Sequence, residues 1–194
     1  MKKLFYAILP IFLLMNSCAG DEMDRTIFIA DKDDYKLPAY TEWGYNSFGA
    51  VYERNYFLAS NNIIPCKITY DKGLLNFYLS GKLDNSDMEL AFSFPSQQMN
   101  HFKDLIALNK TTIDLLDNNC KVTIRIDGHS ESITLVSGNL TFKRAQLLKI
   151  DGEENRVILS GVFEIRLLKR DLPETISNGR FDMGINKDFY SFQK

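Results

Sequence analysis

Apolar and polar residues alternate along several segments of the chain, and this two-residue period constrains the fold more than any other feature. In residues 157–168, Val157 and Leu159 belong to one face of an extended strand, whereas Glu164 and Arg166 belong to the other. Successive side chains of a β-strand point to opposite faces of its sheet. The pattern therefore predicts a strand with one buried and one solvated face, as antiparallel sheets allow.

Similar segments recur at intervals of roughly ten residues, with turn signals such as Asp71-Lys72-Gly73 and Asp127-Gly128 between them. Residues 81–87 are predicted to be a polar loop, and residues 151–155 a turn between two long strands. The predicted strands cover residues 48–59 (with a turn at 53–55), 63–70, 74–80, 88–94, 121–126, 132–136, 140–150, 157–168 and 179–185. This spacing predicts a mainly β fold, either an antiparallel β-sandwich or a barrel.

One short helix is predicted over residues 97–108, after Pro95 interrupts the strand pattern. Ser96 is a suitable N-cap residue for it. Four apolar residues fall on one face at helical spacing, namely Met99, Phe102, Leu105 and Ile106. We interpret this face as core packing and not as a cofactor-binding surface.

The chain begins with Lys2-Lys3 and an apolar run over residues 4–15. A bilayer-spanning helix needs roughly 20 apolar residues, whereas this run has the length of the apolar region of a secretory signal peptide. Ser17-Cys18 then follows, and a small residue directly before a Cys resembles the lipobox of bacterial lipoproteins, although Met15 stands where that family usually has Leu. The resemblance implies that residues 1–17 are a signal peptide and that the Cys18 thiol carries a diacylglycerol.

Acidic residues follow Cys18 after Ala19-Gly20, at Asp21, Glu22 and Asp24. Such a cluster resembles the export signal of Bacteroidetes lipoproteins, which implies the outer surface of the outer membrane. The alternative is an ordinary solvated linker on a protein at the periplasmic face. Mature bacterial lipoproteins typically carry three acyl chains, and two or more chains anchor a protein stably. We expect residues 18–43 to be a flexible tether and residues 44–194 to form a single β-rich domain.

The charge balance argues against nucleic acid as a partner. Loss of Lys2 and Lys3 with the signal peptide changes the formal net charge from −2 to −4. The mature chain thus has no excess of positive charge to neutralise phosphates. The full chain has 14 Phe and nine Tyr residues, all but three of them after residue 17, and these can form a substantial core, so the composition is not that of a disordered chain.

Two cysteines remain besides Cys18, and both fall in or beside predicted strands. An exported protein can form a disulfide between Cys66 and Cys120 if their strands are neighbours. The alternative is two unpaired thiols that pack as small apolar residues. Their spacing relative to His101 and His129 does not match a metal site, so neither metal nor cofactor is expected.

Three short motifs occur in a fixed order along the chain. They are Gly44-Tyr45-Asn46-Ser47-Phe48-Gly49-Ala50, Leu159-Ser160-Gly161-Val162-Phe163-Glu164-Ile165 and Ile176-Ser177-Asn178-Gly179-Arg180-Phe181-Asp182. Together they resemble a family of small Bacteroidetes lipoproteins of unknown function, over about residues 44–185. The resemblance implies a β-rich domain at the cell surface or in the periplasm, and it brings no catalytic residues. Because glycines in strands often mark close approach, we expect the rings of Phe48, Phe163 and Phe181 to cover Gly49, Gly161 and Gly179.

No known catalytic pattern is present. The chain has no G-x-S-x-G nucleophile elbow, no H-E-x-x-H zinc motif and no glycine-rich phosphate loop before a helix. His129 lies between Asp127 and Glu131, which we interpret as a solvated turn. The sequence therefore predicts a protein that is not an enzyme.

We accordingly expect a lipid-anchored module of the cell envelope that binds or scaffolds a glycan or another envelope protein. Aromatic rings can stack on sugars, and the candidates near the start of the domain are Trp43, Tyr45 and Tyr52. One alternative is a lipocalin-like carrier of a small apolar ligand, which requires an internal cavity. Another is a hydrolase with two carboxylates across a cleft, at least one of which has a raised pKa.

Overall fold

The computed structural model describes residues 24–61 and 63–193. The predicted signal peptide, residues 1–17, and the predicted lipidation site, Cys18, lie outside these ranges. Within them, no helix has both the length and the apolar character needed to cross a bilayer.

Twelve strands and a 3₁₀ helix account for most of the described residues. The helix covers Phe102–Leu108 and follows the fifth strand. The strands are β1 (Ser47–Tyr52), β2 (Asn55–Leu58), β3 (Cys66–Asp71), β4 (Leu74–Leu83), β5 (Ser86–Pro95), β6 (Thr111–Asp114), β7 (Lys121–Ile126), β8 (His129–Ser130), β9 (Ile133–Ile150), β10 (Glu153–Lys169), β11 (Leu172–Ile185) and β12 (Tyr190–Gln193).

The strands form one continuous sheet whose two halves are joined by a short pairing between β2 and β4. The first half contains β12, β3, β4, β5, β7 and β8 in that order, and the second contains β6, β9, β10, β11, β1 and β2. Neighbouring strands are antiparallel except for β12, which pairs with β3 in parallel. The sheet is not closed into a barrel, because β6, β8 and β12 are edge strands that each pair with a single neighbour. The prediction of a mainly β, antiparallel sandwich is confirmed.

Phenylalanine rings fill the space between the two halves. The ring of Phe77 on β4 lies 5.0 Å from that of Phe181 on β11 and 5.9 Å from that of Phe142 on β9. Phe92 on β5 meets Phe163 on β10 edge-on at 5.4 Å. Tilted and edge-on rings at these distances attract one another and bury a large apolar area. The space between the halves is thus packed with side chains, unlike the lined cavity that a lipocalin-like carrier requires.

The turn signals of the sequence lie at the tips of hairpins. Lys72-Gly73 joins β3 to β4, Asp127-Gly128 joins β7 to β8, and Asp151-Gly152 joins β9 to β10. Both residues of each pair have positive φ, at 48° and 85°, 49° and 81°, and 52° and 86°, respectively. Two-residue turns with positive φ at both positions match the right-handed twist of the flanking strands.

Several strands extend beyond the predicted bounds. Residues 81–87, predicted to be a loop, continue β4 and β5 as far as a tight turn at Asp84-Asn85. The polar residues in this segment include Lys82 and Asp87, which form an exposed cross-strand ion pair at 2.6 Å. Their polarity is therefore compatible with strands and does not require a loop. The sequence interpretation missed β6 and β12, which have four residues each and too little alternation to be recognised.

The predicted helix is shorter than expected and of the 3₁₀ type. It begins after His101, which replaces Ser96 as the capping residue. Residues three apart are eclipsed in a 3₁₀ helix, so its buried face differs from the predicted α-helical face. Ile106 is 48% exposed, and the buried residues of the helix are Phe102, Leu105 and Leu108.

Residues 24–46, which we call the strap, lie against the outer face of the second half. Their contacts fall on Arg180, Asp182 and Gly184 of β11, which alternate with the core residues Phe181 and Met183. The strap itself is partly buried and forms an isolated bridge within its own length, between Ala30 and Pro38. This corrects the expectation of a flexible tether over residues 18–43, because residues 24–43 are packed against the domain, beginning with the contact of Asp24.

Candidate functional site

The carboxylate of Asp182 on β11 holds the end of the strap. Asp182 is 2% exposed. Five groups donate hydrogen bonds to it: the backbone N–H groups of Trp43 (3.0 Å), Gly44 (2.7 Å) and Tyr45 (3.3 Å), and the hydroxyls of Thr41 (2.5 Å) and Ser160 (2.8 Å). A buried charge is tolerated only when it is satisfied in this way. The carboxylate thus ties the strap to two strands of the second half.

The three sequence motifs meet at this point. The first motif supplies Gly44 and Asn46, the second supplies Ser160, and the third supplies Asp182. The side-chain oxygen of Asn46 accepts a hydrogen bond from the backbone N–H of Gly184 at 2.9 Å. The motif residues therefore have a structural role, which is to close the strap onto the sheet.

Two motif glycines are covered by phenylalanine rings, as predicted. Phe181 lies directly opposite Gly161 across the β10–β11 pair, and Phe163 lies opposite Gly179. In each case the ring occupies the space where a side chain would otherwise stand. These two glycines are needed because the neighbouring ring approaches the backbone closely.

The expectation for the third glycine is wrong. Gly49 is covered by the strap, and a Cβ atom at this position would lie 2.4 Å from the ring of Pro38. The ring of Phe48 packs over Gly81 of β4 instead. The sequence predicts a flexible tether over these residues, so a contact between Pro38 and Gly49 was not expected.

The acidic residues of the strap predict that it loosens in acid. A hydrogen bond from the backbone N–H of Asp33 and the ion pair with Arg180 hold the pKa of Asp31 below its usual value. A hydrogen bond from Arg144 at 2.8 Å lowers the pKa of Glu42. Groups whose pKa is lowered by folding stabilise the fold above their unfolded pKa, and this contribution is lost as pH falls through the folded pKa.

We therefore expect the strap amides to lose protection from hydrogen exchange below about pH 4, before those of β4 do. Exchange measured by mass spectrometry, corrected for the intrinsic rate at each pH, checks this. The double variant Asp31→Asn, Glu42→Gln should show a flatter pH profile in the strap alone. Loss of protection in the strap and β4 at the same pH would contradict the expectation.

A groove of about 760 Å³ crosses the outer face of the first half. Alternate residues of β3 and β4 face it, together with Glu89 of β5 and Arg125 of β7, while the neighbouring residues along β3 and β4 face the core. Ile63, Ile64 and Asp188 line its rim and also border an adjoining depression of about 730 Å³ beside the start of the strap. The other residues that border the groove are Cys66, whose side chain faces the core, and Lys67, Thr69, Asp71, Asn76, Tyr78, Ser80, Glu89 and Arg125.

A row of three polar side chains crosses adjacent strands on this face. Ser93 Oγ on β5 donates to Asn76 Oδ1 on β4 at 2.6 Å, and Asn76 Nδ2 donates to Thr69 Oγ1 on β3 at 3.2 Å. The three residues are direct cross-strand partners. The Thr69 hydroxyl proton and the second amide proton of Asn76 are still free to donate. The row thus presents oriented donors and acceptors at the strand spacing of about 4.8 Å.

An aromatic ring and an ion pair lie beside this row. Tyr78 follows Asn76 on the same face of β4, is partly buried, and lies opposite the small side chain of Ala91. Arg125 on β7 pairs with Glu89 on β5 at 2.8 Å, and the two residues are direct cross-strand partners. An exposed pair of this kind contributes little to stability. The guanidinium keeps further N–H groups that can bind a ligand.

The predicted aromatic residues do not lie in the groove. Trp43 is 71% exposed, and with the partly buried Tyr45 it belongs to the strap, on the opposite side of the sandwich. Tyr52 on β1 is 5% exposed and donates a hydrogen bond to Glu174. Its burial, together with this hydrogen bond, raises the pKa of the Tyr52 hydroxyl. The buried ring of Tyr52 therefore offers no face to a ligand.

Cys66 and Cys120 are both free thiols in the structure. Cys66 faces the core and is 1% exposed, while Cys120 is partly buried against the core. Burial raises the pKa of both thiols, which disfavours the reactive thiolate. Of the two alternatives for these cysteines, the structure has unpaired, packed thiols and not a disulfide.

The histidines and acidic residues show no catalytic arrangement in the described ranges. His101 caps the helix, and His129 is exposed in the β7–β8 hairpin. No group of three or more His, Cys, Asp or Glu residues within these ranges is placed to hold a metal ion. Ion pairs and hydrogen bonds lower the pKa of Asp31, Glu42 and Glu154, opposite to the raised pKa that a general acid needs.

Comparison of the chain with protein-family models, curated proteins and solved structures gave no match. The resemblance to small Bacteroidetes lipoproteins therefore stays a prediction.

Proposed function

We propose that the protein is a lipid-anchored, non-enzymatic module of the bacterial cell envelope that binds a neutral glycan. The observation that carries the proposal is the pair of polar side chains Thr69 and Asn76 beside Tyr78 in an open groove, with Asn76 oriented by its hydrogen bond from Ser93. The N-terminal pattern supports the location, because an apolar run of signal-peptide length ends directly before Cys18.

The chemistry of the groove favours a polyhydroxylated ligand. Pairs of sugar hydroxyls can exchange hydrogen bonds with a planar amide, which Asn76 provides, and can accept hydrogen bonds from the guanidinium of Arg125. The ring of Tyr78 can pack against the apolar C–H face of a sugar and still offer its hydroxyl. A volume of about 760 Å³ lies within the usual range for ligand sites and accommodates a short oligosaccharide.

The charges in the groove favour a neutral glycan over a sulfated or phosphorylated one. Strong binding of such anions relies on clustered Arg and Lys side chains. Here the lining has two basic and three acidic side chains, which are Lys67, Arg125, Asp71, Glu89 and Asp188. The groove thus lacks the positive excess that would select an anionic sugar.

The rival functions have less support from the described residues. A protein partner needs roughly 800 Å² of contact on each side with an apolar centre, whereas apolar side chains here are confined to the rim at Ile63 and Ile64. A lipocalin-like carrier lacks its cavity, since rings such as Phe77 occupy the interior. A carboxylate-dependent hydrolase would need an acid with raised pKa, which the shifts at Asp31 and Glu42 do not provide.

Replacing Tyr78 with Ala should weaken glycan binding about tenfold or more, equivalent to about 1.4 kcal/mol. The ring lies on the solvated face, so its loss should leave the melting temperature nearly unchanged. A neutral oligosaccharide selected on a glycan array would be titrated calorimetrically against the unlipidated Cys18→Ala protein and its Tyr78→Ala derivative.

Tyr35→Ala is the matched control for this experiment, because Tyr35 is 74% exposed on the strap, away from the groove. This variant should bind as the parent does. Equal affinities for all three proteins, or a complete absence of binding across the array, would contradict a glycan site at Tyr78.

The proposed location is the outer membrane, with the domain on the cell surface, as the acidic residues after Cys18 indicate. Protease treatment of intact cells tests it, with the Cys18→Ala variant as the control that lacks the anchor. Clipping of the domain while a periplasmic marker survives supports surface exposure. Protection of the domain would place it at the periplasmic face.

A further inference from the structure

Exposed apolar side chains are concentrated on the strap. In residues 24–61 and 63–193, eleven large apolar side chains are exposed, and five of them belong to the strap. They are Ile27 (45% exposed), Phe28 (50%), Ile29 (44%), Tyr35 (74%) and Trp43 (71%). Contiguous exposed apolar surface marks sites of interaction with proteins or membranes, and three of the five residues, Ile27, Phe28 and Ile29, are consecutive along the strap.

The position of the strap indicates what covers it. The strap begins at Asp24, whose carboxylate lies 3.3 Å from Arg156 of β10. Asp24 lies six positions after Cys18, so the described domain starts within about 21 Å of the lipidated residue even at full extension. The strap is thus the part of the described structure that follows the anchor most closely along the chain.

Ion pairs with the domain neutralise much of the acidic charge of the strap. Asp24 pairs with Arg156, and Asp31 pairs with Arg180 at 2.6 Å. Glu42 pairs with Arg144 at 2.8 Å. The apolar side chains can therefore approach lipid headgroups without strong repulsion, and no basic cluster calls for anionic lipid.

We propose that the strap docks on the lipid surface that holds Cys18, with its aromatic and aliphatic side chains in the headgroup region. This inference rests on the proposed lipid anchor. Trp, Tyr and Phe are favoured at the membrane interface. A short connection to an anchor gives a weak docking contact an effective concentration in the millimolar range. No exposed apolar side chain of the strap lines the groove, so docking leaves the groove open to a ligand.

Trp43 allows a direct test, because it is the single Trp of the chain. The lipidated protein is reconstituted into phosphatidylcholine vesicles, and flotation with the vesicles is measured together with Trp43 fluorescence. Docking predicts that the emission shifts to shorter wavelength and is quenched by lipids with brominated chains. Added salt should leave both effects in place, because the contact is apolar.

Phe28→Asp should abolish the shift and the quenching while flotation persists. Leu172→Asp is the matched control, since Leu172 is 66% exposed at the β10–β11 hairpin, and it should behave as the wild type. Flotation without quenching of the wild type would overturn docking alone. If the wild type floats no better than Cys18→Ala, the lipid anchor fails, and docking fails with it.

Discussion

Replacing Asp182 with Ala should destabilise the domain by at least about 3 kcal/mol, because several buried donors lose their partner at once. The carboxylate accepts from Ser160 on β10 and from three backbone N–H groups of the strap. Asp182→Asn should have an intermediate effect, since it keeps one acceptor oxygen but turns an N–H group toward other donors. Urea unfolding of the unlipidated protein measures both.

Asp33→Ala is the control for this prediction, because Asp33 is exposed on the same strap. Its effect should stay within about 0.5 kcal/mol. An Asp182→Ala variant as stable as this control would show that the strap does not depend on the carboxylate. The shared motif residues would then need another explanation.

Gly161→Ala should destabilise the domain by about 3 kcal/mol, the upper part of the usual range for overpacking. The added Cβ would lie 2.1 Å from the carbonyl oxygen of Thr141 and 2.6 Å from the ring of Phe181. The ring can move, but the backbone carbonyl belongs to the β9–β10 pair and resists displacement. Thermal and urea unfolding would measure the loss.

A double variant separates the two clashes. Adding Phe181→Leu to Gly161→Ala should cost less than the sum of the single changes, because the smaller side chain relieves one contact.

Gly73→Asn is the control for the Gly161→Ala change, because Gly73 lies in an open turn at φ 85°. Asn tolerates this conformation, so the change should cost less than about 1 kcal/mol. Strict additivity at Gly161 and Phe181 would contradict the close approach of ring and backbone.

The local sequence predicts much of the fold, because strand period and turn chemistry are local properties. Tight turns such as Asp127-Gly128 and Asp151-Gly152 lie where the residue types require them. The strap could not be predicted in the same way. Its attachment depends on Asp182 and Arg180, which lie about 140–150 residues further along the chain, and a segment rich in acidic residues is ordinarily solvated.

The groove was only partly visible in the sequence. The alternation along β4 places Asn76 and Tyr78 on the solvated face, opposite Phe77. Which residues of β3, β5 and β7 stand beside them depends on strand register, and register is set by long-range pairing. The prediction that Tyr52 binds a ligand was wrong for a similar reason. Tyr52 is buried where β1 pairs with β11, and that pairing joins segments far apart in the sequence.

The most direct test of a glycan-binding groove is a nuclear magnetic resonance titration of the Cys18→Ala protein with the neutral oligosaccharide selected on the array. Binding in the groove predicts saturable shifts at Asn76, Tyr78 and Arg125, with no change around Trp43. Shifts confined to the strap, or no saturable shifts at all, would contradict it.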